Sequence, residues 1–150
     1  MLFIVFGMGF FSSCTLFVPD LNNRDFDKYK EEFNKEMRLN SEESLKVMNY
    51  KMGFAVLKSE KKPNLLGRCF VGLQMIQFDI VGFAAQTELG RKAAVFHELG
   101  HCYCNMWKHN EQWDNIVGCS KSLMYPSMPG DYCIKRQWKR YMEELREECK

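Results

Sequence analysis

The sequence predicts an α+β fold, in which a small mixed sheet packs on one helix and a further helix closes the chain. Two observations predict this class. Phe26, Tyr29 and Phe33 recur at the three-to-four-residue spacing of a buried helix face. Further along, Ile76 and Phe78 alternate with polar residues, as strands with one buried face do. A chain of 150 residues, 46% hydrophobic and 27% charged, is long enough to bury one core.

The predicted elements follow one another as helix, strands, helix, loop and helix. Proline and glycine mark the loop, and a lysine, proline and asparagine cluster at residues 61–64 marks a turn between the strands. A charged stretch without breakers forms the last helix. The predicted ranges are residues 25–38 for the first helix, 50–57 and 68–81 for the strands, 87–105 for the second helix and 132–148 for the last.

The N-terminal segment differs from the rest of the chain. Residues 2–11 are all apolar or glycine, a run too short to span a bilayer as a helix but typical of the core of a signal peptide. Two serines and Cys14 follow, which resembles the lipobox of bacterial lipoproteins. We assign residues 1–18 to a signal peptide or lipoprotein leader, with Cys14 as the lipid attachment site, and residues 19–150 to the functional domain. An uncleaved membrane anchor through Val18 is the alternative.

Cysteine usage bears on the compartment. The chain has seven cysteines, and six remain when Cys14 is set aside, an even number compatible with disulfides. Their spacing contains no paired CxxC motif, and Cys102 and Cys104 point to different sides of a helix and so do not pair with each other. We expect an exported protein, periplasmic or membrane-anchored in a bacterium, or encoded by a phage. Free buried thiols in a reducing cytoplasm are the alternative.

Charge narrows the choice of partners. The 21 basic and 19 acidic residues are mixed along the chain, and the net charge is +2. Nothing in this distribution predicts a basic face for nucleic acid or for an anionic membrane. We therefore expect a monomer that binds no nucleic acid and meets a membrane only through its N-terminal tether.

Residues 97–101 read HELGH, which matches the HExxH pattern. Two imidazoles four residues apart lie on one helix face, about 5–6 Å apart at Cβ, and can share one Zn²⁺. His97 and His101 are therefore predicted metal ligands. Glu98 lies about 100° round the helix and flanks the same cleft, where it can act as the catalytic base. All three histidines of the chain, the third being His109, fall within this region, which favours a metal site over isolated core histidines.

Residues 95–126 resemble the metzincin clan of zinc peptidases, in particular small bacterial or phage proteins with a signal peptide and a VFHELGHC-like helix. Metzincins extend the motif as HExxHxxGxxH and then place a methionine turn beneath the metal. The SLMYP sequence at residues 122–126 resembles that turn, with Met124 under the metal. The resemblance implies a zincin-like fold, one Zn²⁺ and hydrolysis of peptide bonds in a peptide or protein substrate.

The resemblance also implies how substrate binds. Peptidases of this clan hold substrate as an extended strand beside the edge of their sheet, so residues 68–81 are expected to supply that edge. Tyr125 is expected to donate a hydrogen bond to the developing oxyanion, although relatives commonly place such a tyrosine one residue further on.

The third ligand departs from the metzincin pattern. Cys104 stands where a glycine is expected and Trp107 where the third histidine is expected, and His109 comes two residues later. On an unbroken helix His109 would lie about 12 Å along the axis from His101, too far for two ligands of one ion. The chain must therefore turn, and Asn105, which tolerates a left-handed backbone, is the predicted position.

We assign His109 as the third ligand. The alternatives are acidic residues in the same loop or, in a gluzincin arrangement, on the last helix, namely Glu111, Asp114, Glu143 and Glu144.

Three other functions fit parts of the pattern. A catalytically silent zincin-fold adhesin or inhibitor would keep the metal ligands, but it would gain nothing from Glu98. A zinc amidase acting on cell-wall peptides would use the same site. A cysteine enzyme would use Cys102 or Cys104 with a nearby histidine, and this is the least favoured because the histidines already fit the metal pattern. A thiol such as Cys69 could also occupy the zinc and make an enzyme latent.

Overall fold

The structure, a computed structural model, describes residues 24–57 and 65–149. The predicted leader with Cys14 and the predicted turn at residues 61–64 lie outside the described residues. Along the described ranges, two helices come first, three strands follow, and two further helices precede a two-stranded hairpin and the last helix. Within the described residues, none of the helices has the length and apolar character of a membrane span. The elements are α1 (Asp27–Met37), α2 (Ser41–Met48), β1 (Lys51–Ala55), β2 (Gly67–Phe70), β3 (Met75–Asp79), α3 (Ile80–Ala84), α4 (Glu88–Cys102), β4 (Trp113–Asp114), β5 (Cys119–Ser120) and α5 (Asp131–Glu148).

The predicted α+β class is confirmed, and the predicted first, second and last helices correspond to α1, α4 and α5. Two short helices were missed. The sequence of α2 carries its own signal, because the Asn40 side chain accepts a hydrogen bond from the Glu43 N–H and the Glu43 side chain accepts one from the Asn40 N–H. The single predicted strand at residues 68–81 was wrong: a left-handed Gln74 (φ 47°) separates β2 from β3, and Asp79 caps α3.

The main sheet is mixed and has three strands in the order β1-β3-β2. β1 runs parallel to β3, with Phe54 opposite Phe78, and β2 runs antiparallel to β3, with Cys69 opposite Ile76. β2 is therefore an edge strand, and it also packs against α4. This places the end of the sheet beside the helix that carries HELGH.

α4 lies at the centre of the core. Every residue from Ala93 to Gly100 is buried, because the helix contacts β2 and β3 as well as α1 and α5. Phe96 illustrates the packing: its ring lies 5.1 Å from that of Phe33 on α1 and 5.3 Å from that of Trp138 on α5. Burying such an aromatic side chain stabilises a fold by about 1.5–3 kcal/mol. The buried position of α4 fixes the functional side chains on it.

Three disulfides cross-link the described part of the chain. Cys69–Cys102 ties β2 to the end of α4, Cys104–Cys149 ties the following loop to the end of α5, and Cys119–Cys133 ties β5 to the start of α5. The six cysteines after Cys14 are thus all paired, as their even number suggested. Cys69 is not free to occupy a metal, and Cys102 and Cys104 are not free to act as nucleophiles.

Candidate metal centre

His97 and His101 occupy successive turns of α4. The helix begins after Thr87, whose side chain accepts a hydrogen bond from the Gly90 N–H at 3.0 Å, and it continues without a break to Cys102. The Nε2 atoms of His97 and His101 are 3.1 Å apart. The four-residue spacing therefore brings both ring nitrogens to one point, as predicted.

Each of these imidazoles is oriented by a backbone carbonyl. His97 Nδ1 lies 2.8 Å from the Leu123 oxygen, and His101 Nδ1 lies 2.6 Å from the Met106 oxygen. Because a carbonyl oxygen only accepts hydrogen bonds, each Nδ1 carries the proton in the neutral ring and each Nε2 keeps a free lone pair. Two such nitrogens facing each other cannot hydrogen-bond together, but both can bind a cation.

His109 reaches the same point through a reversal of the chain. α4 ends at Cys102, and Asn105 adopts a left-handed backbone with φ 55°, so the turn predicted at this residue is confirmed. His109 Nε2 comes to 3.2 Å from His101 Nε2. One ligand atom from each of the three histidines lies within 4.8 Å of the others.

These distances fit coordination of one ion. For tetrahedral metal–nitrogen bonds of about 2.1 Å, neighbouring nitrogens lie about 3.4 Å apart. The 3.1 Å and 3.2 Å separations are close to that value. The three histidines therefore lie close enough together to bind a metal ion.

The acidic residues considered as substitutes for His109 do not join this cluster. Asp114 Oδ1 accepts hydrogen bonds from the N–H groups of Ile116 and Val117, at 3.1 Å and 3.2 Å. Glu144 accepts one from the Asn110 side chain at 2.8 Å. The remaining two, Glu111 and Glu143, are exposed.

The histidines on α4 are held neutral by burial. The pKa of His97 is lowered to about 3, mainly because burial removes its hydration and to a smaller extent because His101 and His109 lie beside it, while the Leu123 carbonyl acts in the opposite direction. Burial also lowers the pKa of His101. Metal ions bind the neutral ring, so protons compete little for these two ligands at neutral pH.

Glu98 lies beneath the edge strand β2. A Cβ atom on Gly67 would come within 2.6 Å of Glu98 Oε1, so the carboxyl group fits there only because residue 67 lacks a side chain. Burial raises the pKa of Glu98 to about 8, while the Cys69 N–H donating to it and the charge of Arg68 lower it. Its Oε2 is buried and has no hydrogen-bond partner among the described residues. A buried carboxyl oxygen with unused accepting capacity is suited to take a proton.

The predicted methionine turn lies under α4. Met124 is fully buried, and a Cβ atom on Gly100 would come within 2.6 Å of its sulfur. The Ser122 hydroxyl accepts a hydrogen bond from the Met124 N–H at 2.9 Å, and the intervening Leu123 provides the carbonyl that orients His97. The turn thus supports the helix between the two histidines and orients one of them.

Comparison with known proteins does not assign a family. No protein-family model, curated protein or solved structure matches this chain. Function is inferred from the site alone. Besides the predicted residues, Gly67 and Gly100 shape the site, and both do so through contacts with distant parts of the chain. Only Gly100 had a local signal, since it lies inside HELGH.

A cavity of about 230 Å³ opens beside Glu98. Gln86 lines this cavity next to α3, and the amide nitrogen of its side chain donates to the Gly82 oxygen at 3.3 Å. A larger cavity, of about 600 Å³, lies on the other side of α3 and contains none of the site residues, so its size alone does not make it the functional one. The smaller cavity is lined by Leu65, Leu66, Gly67, Gly82, Gln86, His97, Glu98, Pro126 and Met128.

Tyr125 follows the methionine turn and is half-buried. Its ring packs against that of Trp113, with centroids 5.7 Å apart. Its role as an oxyanion donor stays a prediction.

Proposed function

We propose that this protein is a zincin-like zinc metallopeptidase that works outside the cytoplasm. The observation that carries the proposal is the convergence of the His97, His101 and His109 ring nitrogens. The buried Glu98 lines the same cavity as the first of them, His97. A purely structural metal site gains nothing from an acid group placed next to it.

The ligand set favours zinc with an open position. Imidazole suits zinc, and catalytic zinc sites have three protein ligands, whereas structural sites have four. The cluster in the described part of the chain offers three. A bound zinc ion would lower the pKa of a water molecule and polarise the scissile carbonyl group.

Glu98 supplies the proton transfer. Its buried carboxylate accepts the proton of the attacking water and later donates it to the leaving amine. The raised pKa of about 8 suits the second step, and a cation beside the group favours the ionised form needed for the first. The Cys69 N–H donates a hydrogen bond to the carboxyl group, and the absence of a side chain on Gly67 leaves room for it.

The edge strand β2 is the proposed docking site for a peptide. β3 covers one side of β2, which leaves the other side for an extended substrate to add as a further strand. Glu98 lies under the first residue of β2, and the cavity beside Glu98 is large enough for one substrate side chain. Of the substrate-binding edge predicted at residues 68–81, only β2 is therefore proposed to bind the peptide.

The disulfides support the proposed location. Three disulfides within one small domain are typical of secreted, periplasmic or cell-surface proteins. The apolar leader and Cys14 supply a route of export and a membrane tether. No nucleic-acid partner is proposed.

Metal content and peptide cleavage test the proposal together. We expect about one zinc ion per purified chain and cleavage of peptides from an unstructured mixture, both detected by mass spectrometry, with cleavage abolished by a zinc chelator. Glu98→Gln is expected to keep the zinc and lose cleavage. Folded protein that binds no zinc would overturn the proposal. Zinc binding with cleavage only of cell-wall peptides would indicate the amidase instead.

A further inference from the structure

Asn110, the residue after His109, is anchored to two separate parts of the molecule. Its N–H donates to the Met124 oxygen at 2.9 Å, and its side-chain amide donates to Glu144 Oε1 on α5 at 2.8 Å. Its own side-chain oxygen accepts from the Gln112 N–H at 3.1 Å. Asn110 therefore uses its main chain and both ends of its side chain to fix the loop beside the third histidine.

Glu144 lies half-buried near the end of α5. One of its oxygens accepts from Asn110, but the other, Oε2, is buried without a hydrogen-bond partner among the described residues. Leaving a buried carboxyl oxygen unsatisfied is unfavourable for folding. The hydrogen bond from Asn110 is therefore what anchors this carboxyl group among the described residues.

The loop is also held at its other end. Cys104, just after α4, is joined by a disulfide to Cys149, which follows the last turn of α5. Residues 104–110 thus run between two attachments to the same end of α5. His97 and His101 lie within α4, whereas His109 lies outside any helix or strand. The position of His109 therefore depends on these attachments.

We propose that Asn110 and Glu144 are positioning residues that hold the His109 ring at the metal site. The inference rests on the proposed zinc site. Hydrogen-bonded groups behind metal ligands typically change metal affinity about 10–100-fold when removed, because the ligand must then be ordered on binding. The two residues do not touch the metal themselves and act through the loop.

Zinc affinity of four variants tests the proposal, measured on metal-free protein by competition with a chromophoric chelator. Asn110→Ala and Glu144→Ala are expected to weaken zinc binding about 10–100-fold. Glu144→Gln keeps an oxygen that can accept from Asn110, so it is expected to bind zinc within about twofold of wild type. Glu147→Ala, which removes an exposed carboxylate from the same end of α5, is the matched control and should have no effect.

A double-mutant cycle separates positioning from general damage. In a His109→Ala background, Asn110→Ala should cause no further loss of zinc affinity, because its effect runs through His109. An equal loss in both backgrounds, or an unchanged affinity for Asn110→Ala and Glu144→Ala, would overturn this inference alone. Wild-type protein that binds no zinc would overturn the proposed function as well.

Discussion

Gly100 and Met124 are in contact at a distance that leaves no room for a side chain on residue 100. A Cβ atom there would come within 2.6 Å of the methionine sulfur and 3.4 Å of a Leu145 methyl carbon. Packing against the predicted methionine turn, residues 122–126, therefore requires a glycine at position 100. The same turn orients His97 through the Leu123 carbonyl. Neighbouring residues of one turn therefore support the helix and orient the His97 ring.

Gly100→Ala should lower both stability and zinc affinity. Overpacking a core costs about 1–3 kcal/mol, which exceeds the gain of about 1 kcal/mol from replacing a helical glycine. Chemical denaturation of the metal-free protein and zinc titration would measure the two effects. Gly90→Ala in the same helix is the control, because its Cβ would meet mainly the flexible Gln86 side chain at 3.0 Å. Equal stability of the two variants would contradict this prediction.

Gly67→Ala should slow peptide cleavage about 100-fold while leaving the metal in place. The new Cβ would come within 2.6 Å of Glu98 Oε1 and 2.8 Å of its carboxyl carbon, so the carboxyl group must move. A displacement of about 1 Å can slow a reaction about 100-fold. Peptide cleavage and zinc content are the measurements. Gly72→Ala, where a Cβ would meet nothing within 4 Å, should behave as wild type. Loss of zinc from Gly67→Ala would show that the strand supports the ligands rather than the base.

The stability of the metal-free protein should fall as pH rises from about 6.5 towards 8. Burial raises the pKa of Glu98 from its ordinary 4.5 to about 8. Between these pH values the folded state holds a proton on Glu98 that the unfolded state has released, which lowers the free energy of unfolding as pH increases. Below about pH 6.5 the lowered pKa values of His97 and His101 act in the opposite direction, because there the unfolded state binds protons that the folded histidines do not. Denaturant unfolding at a series of pH values would measure it. Glu98→Gln cannot titrate and should show a smaller decrease, and an identical pH profile for the two proteins would refute the assignment.

The disulfides should differ in their effect on the metal site. Replacing Cys119 and Cys133 by serine opens a loop with a sequence separation of 14. Closing a loop of this length contributes about 3 kcal/mol in the chain-entropy description, and zinc affinity should be unchanged while the protein stays folded. Replacing Cys104 and Cys149 should weaken zinc binding too, because that disulfide holds the loop of His109. Equal zinc affinities in the two double variants would contradict the prediction.

Local pattern was sufficient to predict much of the site. The HELGH motif predicted that the rings of His97 and His101 converge, as they do, because helix geometry alone sets their relative directions. The reversal at Asn105 followed from the distance that an unbroken helix would have placed between His101 and His109. Both predictions used only the regular dimensions of a helix and the backbone tolerance of one residue type.

The remaining features of the site and the fold depend on long-range contacts, which the local sequence does not indicate. Nothing near Gly67 or Asn110 in the sequence indicates that one lies over Glu98 and the other bonds to Glu144. The pairing of the cysteines is likewise fixed by which elements pack together. The two strands at residues 67–79 were merged into one because the three-residue turn between them is too short to interrupt an apolar pattern.

The disulfide between Cys104 and Cys149 makes the final third of the chain a covalent ring, spanning a sequence separation of 45. His109, Met124 and all of α5 lie inside it, and the Cys119–Cys133 disulfide closes a smaller ring within. A single peptide-bond cleavage anywhere in the larger ring opens it without releasing a fragment. For the proposed peptidase this means that one self-inflicted cleavage in an exposed loop would leave His109 covalently attached to His97 and His101.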